Sequence, residues 1–263
     1  MRGWRILLLL TFVLLTGCKK KDSSPPHTQS CYVGKETIWS GNSRQRIYTF
    51  QTDPDGTLRY TTLQDTDGHI LAKQTFSFTS NKLTGSVLND GTIDIGKSVI
   101  TLTSSGNIKQ VDFMEPDTLG IFRAVYSDEF EYNQSNKVST FTTTYFNSKG
   151  ADSVRIINTY RYDAKGNVAG YTITDTAGQE LGMVQYTYDD RKNYLRSYLV
   201  TNDIATAFSE NNITSFTFTD ERTGLEISRT YDNQFNDQGY LVRSIMKQNG
   251  QKDVTTWYDY NCY

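Results

Sequence analysis

Residues able to do chemistry are few. His27 and His69 are the only two histidines in 263 residues. A Ser-His-Asp relay would have to use His69, beside the turn Asp67-Gly68, because His27 lies in a polar, Pro-containing stretch. The simpler reading of His69 is an exposed residue at a strand start, and no set of His and Cys has zinc-ligand spacing. Asp53-x-Asp55-Gly56 and Asp65-x-Asp67-Gly68 are like fragments of calcium loops, but each lacks the later acidic ligand. They flank the segment from Thr57 to Gln64, roughly 27 Å when extended, too far to share an ion. Plain hairpin turns explain them. Carboxylates cluster at Asp128-Glu129 with Glu131, at Asp189-Asp190 and at Asp220-Glu221. A glycosidase needs two carboxyls about 5–9.5 Å apart across a cleft. Strand neighbours point to opposite faces, so these read as solvated charges. The sequence therefore predicts no catalytic residue, no metal site and no cofactor.

Aromatic residues are abundant, with 18 Tyr, 13 Phe and 3 Trp. Tyr160, Tyr162, Tyr171, Tyr186, Tyr188 and Tyr198 are candidates for a ligand surface, since exposed rings stack on sugars or line apolar cavities. The alternative is packing between strands, in which a Tyr ring is buried while its hydroxyl stays wet.

The elements that must position these groups begin with an export signal. Arg2 and Arg5 precede the apolar run Ile6 to Leu15, which leads into Leu15-Thr16-Gly17-Cys18. Ten helical residues span about 15 Å, too short for ~30 Å of hydrocarbon. Residues 1–17 are expected to be removed and Cys18 acylated, which predicts an exported protein lipid-anchored in a bacterial cell envelope, at the outer membrane. Residues 18–30 form a flexible tether, with Lys19-Lys20-Lys21 either attracted to anionic headgroups or serving as a solvated spacer. Cleavage removes Arg2 and Arg5 and no acid from a total of 27 basic and 29 acidic residues, leaving a formal charge of −4. That mild balance gives no concentrated basic face for nucleic acid.

Of three cysteines, Cys31 and Cys262 remain after acylation of Cys18. An even remainder in an oxidising compartment favours a disulfide over two unpaired thiols. Such a bridge would join the first and last strands of the domain.

Residues 31–263 read as a single antiparallel β domain. Segments such as Lys73 to Thr79 and Ile213 to Thr219 alternate apolar and polar residues, and turns recur every 8–15 residues. This predicts an all-β meander of 14–18 strands, curled into an open or nearly closed barrel, with no significant helix. Thr118 to Tyr126 is the best helix-like candidate. Alternate positions often hold Thr, Lys, Gln and Asp, which argues against a membrane-spanning barrel.

A degenerate motif recurs mainly in residues 125–260: an aromatic, then Asp or Asn, then Gly or Asn, then Val or Leu. It reads Tyr132-Asn133 with Asn136 and Val138, Tyr162-Asp163 with Gly166 and Val168, and Phe235-Asn236 with Gly239 and Leu241. Tyr188-Asp189 with Asn193 and Leu195 is the same unit with one extra residue, and Phe146-Asn147 with Gly150 keeps only the turn. The Asp or Asn starts a turn through its side chain, and Gly or Asn accepts the left-handed position that ends it. The aromatic and the aliphatic residue then face each other across the hairpin.

On these residues, best seen at Tyr160-Arg161-Tyr162-Asp163-Ala164-Lys165-Gly166-Asn167-Val168, the chain resembles the tyrosine–aspartate repeats of the RHS class. With its lipobox and Lys-rich tether it is more similar to β-rich Bacteroidota lipoproteins with degenerate hairpin repeats, some of them grouped as a domain of unknown function with a porin-like shape. The resemblance implies a fold and a location and brings no established activity. Few copies and uneven spacing argue against a toxin-enclosing shell. The expected function is non-catalytic: an envelope lipoprotein held to a membrane by its N-terminal lipid, binding a lipid-like, other apolar or glycan ligand on a curved aromatic sheet. A structural or protein-docking role and a glycoside-active enzyme are the alternatives.

Overall fold

The computed structural model describes residues 31–80, 82–147, 150–197 and 204–263. Cys18 and Tyr198 lie outside them. Sixteen strands run in chain order: β1 Cys31–Ser40, β2 Ser43–Thr52, β3 Leu58–Gln64, β4 Ile70–Thr79, β5 Lys82–Asn89, β6 Asp94–Leu102, β7 Ile108–Pro116 and β8 Phe122–Tyr132. The second half holds β9 Val138–Phe146, β10 Asp152–Tyr162, β11 Val168–Thr174, β12 Glu180–Lys192, β13 Asn211–Asp220, β14 Glu226–Phe235, β15 Leu241–Gln248 and β16 Val254–Cys262. Each strand pairs antiparallel with its chain neighbour, and β1 pairs with β16 to close the barrel. The meander expected from the sequence is thus a fully closed cylinder, fastened by the disulfide Cys31–Cys262. Among the described residues no helix is long and apolar enough to cross a membrane.

The turns explain why the chain keeps reversing. At Asp53, Asp65, Asp117, Asn133, Asp163, Asp175 and Asn236 the same backbone pair recurs: N–H of the first residue to C=O four on, and N–H three on back to the first C=O. The Asp or Asn side chain then accepts further backbone N–H groups, as Asp163 does from Asn167. The repeat chemistry therefore extends through the first half as well. Asn136 sits at φ 60°, the left-handed position that Gly166 takes at φ 94° in the next unit. The helix-like stretch Thr118 to Tyr126 is instead such a turn running into β8, because Asp117 Oδ1 binds the N–H groups of Leu119 and Ile121.

Alternation assigns the two faces. On β14, Glu226, Ser228, Thr230, Asp232 and Gln234 are exposed while Ile227, Arg229, Tyr231, Asn233 and Phe235 are covered. On β4, Lys73, Thr75 and Ser77 are exposed while Ala72, Gln74 and Phe76 are buried. Phe76 shares a core cluster with Val33, Val111 and Phe130 from other parts of the wall. The apolar side of the sheet thus faces inward, and the outer surface is largely polar.

One end of the barrel is sealed. Leu58, Leu83, Ile108, Val138, Val168 and Leu241, each at or next to the start of an odd-numbered strand, are at most 4% exposed. Burying each such side chain contributes about 1.5–3 kcal/mol. Between β12 and β13 the chain leaves the sheet through a short 3-10 turn, Tyr194–Ser197, and a helix α1, Ile204–Phe208. Leu195, Ile204 and Phe208 from this insertion join the same apolar layer. Here the sequence expectation is corrected: Asp189 and Asn193 do not form a repeat hairpin with Leu195. Tyr188 faces Ile213 of β13 instead, and Leu195 belongs to the plug. Asn193 is buried and does different work, donating to the carbonyls of Thr206 and Ser209 and accepting from the Leu195 N–H.

Candidate functional site

The three regular repeat units place the aromatic opposite the aliphatic residue: Tyr132 faces Val138, Tyr162 faces Val168 and Phe235 faces Leu241. The tyrosine hydroxyls have a further role. Tyr132 donates to the carbonyl of Ile108, Tyr162 to Val138, Tyr188 to Val168 and Tyr260 to Leu241. Each bond ties an even-numbered strand, near the sealed end, to the first residue of the strand before it. Burial holds the hydroxyls of Tyr132, Tyr162 and Tyr260 well above the ordinary phenol range. Tyr162 and Tyr188, named among the candidate ligand residues, are therefore committed by their hydroxyls to the wall.

Tyr160, Tyr171 and Tyr186 contribute their rings. They project inward from β10, β11 and β12 as a file of rings, with centroids 4.9 Å apart for Tyr160–Tyr171 and 6.4 Å for Tyr171–Tyr186. Phe216 continues the file 5.6 Å beyond Tyr186. A parallel set, Phe113, Tyr126 and Tyr145, lines the wall from β7 to β9 at 5.1 and 6.0 Å. Exposure at inward positions rises along the axis, from nothing at Val138 and Val168 to 42% at Tyr145 and 53% at its partner Val154. The interior is therefore packed at the insertion end and accessible from the other.

Polar groups stand among these rings. Asp128 shares the inward face with Tyr126 and Phe130, is buried, and accepts from Thr143 Oγ1 at 2.7 Å. Burial raises its carboxyl to about 6, against the lowering effect of that bond. Glu36 on β1 faces Tyr258 on β16, and burial raises it to about 7. The Tyr258 hydroxyl is pushed well above its usual range, first by burial and then by the Glu36 charge. Arg229 lies 5.3 Å from the Phe216 ring and donates to Gln248. Gln74, Ser86 and Ser98 form a buried relay across β4, β5 and β6. The interior can thus stack planar or ring-shaped groups and hydrogen-bond their edges. The period-2 alternation placing Asp128 between Tyr126 and Phe130 was the signal that could have found it; Glu36 has no local signal.

The acidic clusters separate as strand geometry requires. Glu129 and Glu131 are exposed on the outer face, with Glu129 3.6 Å from Arg155, so Asp128 meets neither. Asp65, Asp67 and His69 offer three ligand atoms within 4.8 Å of one another at an exposed turn. Asp65 Oδ1 already accepts the N–H groups of Asp67 and His69, and Oδ2 lies 3.2 Å from His69 Nδ1. That arrangement is the turn's own hydrogen bonding.

No family model matches the chain, and no curated protein does. Among solved structures the barrel is similar to a porin-like protein from Bacteroides uniformis, with TM-score 0.55 and 13% identity over 87% of this chain and 96% of that one. A porin-like protein from Bacteroides vulgatus aligns at TM-score 0.48 and 14% identity over 88% and 99%. A TcdB2-TccC3 structure aligns at 0.36 and 13% over 85% of this chain, but only 14% of its own length. The first likeness bears on the fold alone: a closed, all-β, antiparallel barrel.

Proposed function

We propose that the protein is an exported, non-catalytic lipoprotein of the cell envelope whose barrel interior receives an apolar or glycan ligand against the Tyr160–Tyr171–Tyr186 file. The carrying observation is the polarity of the wall: rings and buried polar groups face inward, Thr, Ser, Asp and Glu face outward. A spanning barrel needs the reverse, an apolar band facing lipid. A water-bathed cylinder with one sealed end and aromatic walls suits holding a small amphipathic molecule. The lipobox at Cys18 supplies the membrane attachment. The porin-like name of the similar Bacteroides uniformis structure supports an envelope setting.

The test is native mass spectrometry of the exported chain carrying Cys18→Ala, which keeps it free of acyl groups. A discrete adduct of several hundred daltons, lost on denaturation and weakened by Tyr171→Ala, is the expected result. A bare mass after gentle purification, unchanged on titration with phospholipid or oligosaccharide, would overturn the carrier reading. It would favour docking of a protein on the open rim, where Leu119, Ile121, Ile93 and Leu225 are exposed.

A further inference from the structure

Trp39 and Trp257 are the two tryptophans of the barrel; the third, Trp4, lies in the signal. Both sit on the outer face of the closing seam. Trp39 on β1 faces Thr255, and Trp257 on β16 faces Thr37, so the two residues are diagonal cross-strand neighbours, with Cα atoms about 7–8 Å apart by sheet geometry. Each has an arginine directly across the next strand: Arg44 opposite Trp39 and Arg243 opposite Trp257. The Arg243 guanidinium lies 4.8 Å from the Trp257 ring, and its buried Nε has no hydrogen-bond partner. Lys247 shares that outer face, two residues apart from Ile245 on β15. Among the described residues no acidic side chain pairs with Arg44, Arg243 or Lys247, and the nearby Asp259 is taken by Lys35.

The charge is out of keeping with the domain. Removing Arg2, Arg5, Lys19, Lys20, Lys21 and Asp22 leaves residues 31–263 with 22 basic and 28 acidic residues, a formal charge of −6. Asp259 and the exposed Asp232, which stands opposite Ile245, are the acids beside this face, so with Arg44, Arg243, Lys247 and Lys35 it keeps a net positive balance on a net anionic barrel and complements an anionic lipid surface. Indole rings partition to the headgroup level and arginines bind phosphate there. The tether adds a second, independent constraint, because it enters this same seam. Twelve residues, 19–30, separate Cys18 from Cys31 and span roughly 40 Å when extended. Trp39 is eight residues along β1, roughly 27 Å from Cys31. The tether is long enough for the barrel to lie on its side.

We infer that the outer face of β15, β16, β1 and β2 is a membrane-contact surface, on which Trp39 and Trp257 enter the headgroup layer and Arg44, Arg243 and Lys247 meet lipid phosphates. The inference rests on the reading that Cys18 carries lipid. The barrel then lies with its axis along the bilayer and its open rim facing sideways.

The mature acylated protein, which holds no other tryptophan, is reconstituted on preformed vesicles of equal phosphatidylglycerol and phosphatidylethanolamine with brominated acyl chains. Tryptophan emission is expected to fall to about half of that on unbrominated vesicles, as for interfacial indoles. Arg243→Glu with Lys247→Glu restores most of it while the protein stays vesicle-bound, and Trp257→Phe reduces the quenching. Vesicle-bound protein with unquenched emission overturns the contact face and leaves the tether standing. Protein that does not float with the vesicles at all overturns both. Unquenched emission that shifts with a soluble oligosaccharide assigns the indoles to a glycan and likewise overturns the membrane face.

Discussion

The hydroxyl of Tyr162 donates to the main-chain oxygen of Val138 at 2.8 Å, joining the β10–β11 hairpin to the β8–β9 hairpin before it. The same relationship links Tyr188 with Val168 and Tyr260 with Leu241. Thr52, Phe78, Leu102 and Phe235 occupy the corresponding places on β2, β4, β6 and β14 without a phenol, so the ring tolerates loss of the bond. Tyr162→Phe should therefore keep the fold and lower unfolding free energy by about 1 kcal/mol, the usual net value of such a bond. Tyr162→Ala should cost about 3–5 kcal/mol, because a packed ring is lost as well. Urea titration with both variants separates the two contributions.

Asn193 is the hinge pin of the insertion. Its amide donates to Thr206 and Ser209 and its oxygen receives Leu195, all away from water. Asn193→Ala leaves two carbonyls and an N–H without that partner and should destabilise by about 2–4 kcal/mol. Hydrogen exchange should then rise at residues 204–210 before it rises in the distant strands β4 to β6.

Protonation favours the fold around Glu36 and Asp128. Their folded carboxyls titrate near 7 and 6, while unfolded ones titrate at their ordinary, lower values. The folded state therefore holds more protons between about pH 4 and 7, and stability falls as pH rises through that window. Glu36→Gln should raise the melting temperature at pH 8 and change little at pH 4, a difference on the order of 2–3 kcal/mol. Turn carboxylates such as Asp90, held at about 2 by the N–H of Ile93 and by the hydroxyl and N–H of Thr92, act oppositely. Their contribution is present above pH 4 and is lost on further acidification. Calorimetry across pH 2–8 should show a maximum near pH 4–5 in the native chain and a flatter alkaline limb in Glu36→Gln.

Cys31 and Cys262 close a loop spanning 231 residues of sequence separation. Chain-entropy arguments assign such a loop about 5 kcal/mol. Replacing both residues by Ser should lower stability by about 2–5 kcal/mol while preserving the β signal in circular dichroism. A variant as stable as the parent would mean that the β1–β16 ladder alone holds the seam.

The fold was legible where information is local. The Asn133, Asp163 and Asn236 turns carry their own hydrogen-bonding chemistry, and period-2 alternation assigns faces without reference to any partner. Local pattern misled at Asp189 and Asn193, where the same residue types open an insertion. What decides there is the long-range burial of Leu195 and Asn193 against the plug. Thr118 to Tyr126 failed for the opposite reason, since one side chain, Asp117, commits the chain to a turn. The candidate site was half legible. Ring content pointed to Tyr160, Tyr171 and Tyr186, but no local pattern reveals that the hydroxyls of Tyr162 and Tyr188 are spent on the wall. Nor could it bring Glu36 opposite Tyr258, because that pairing spans nearly the whole domain.

Every strand pairing joins chain neighbours except the single seam between β1 and β16. Hairpins with near neighbours cost little loop entropy, so the sheet can grow quickly from any point along the chain. The seam is the one strand pairing of high sequence separation, and it has to wait until both ends exist. Closure therefore comes last, and a Cys31–Cys262 bond records that a full cylinder has been completed.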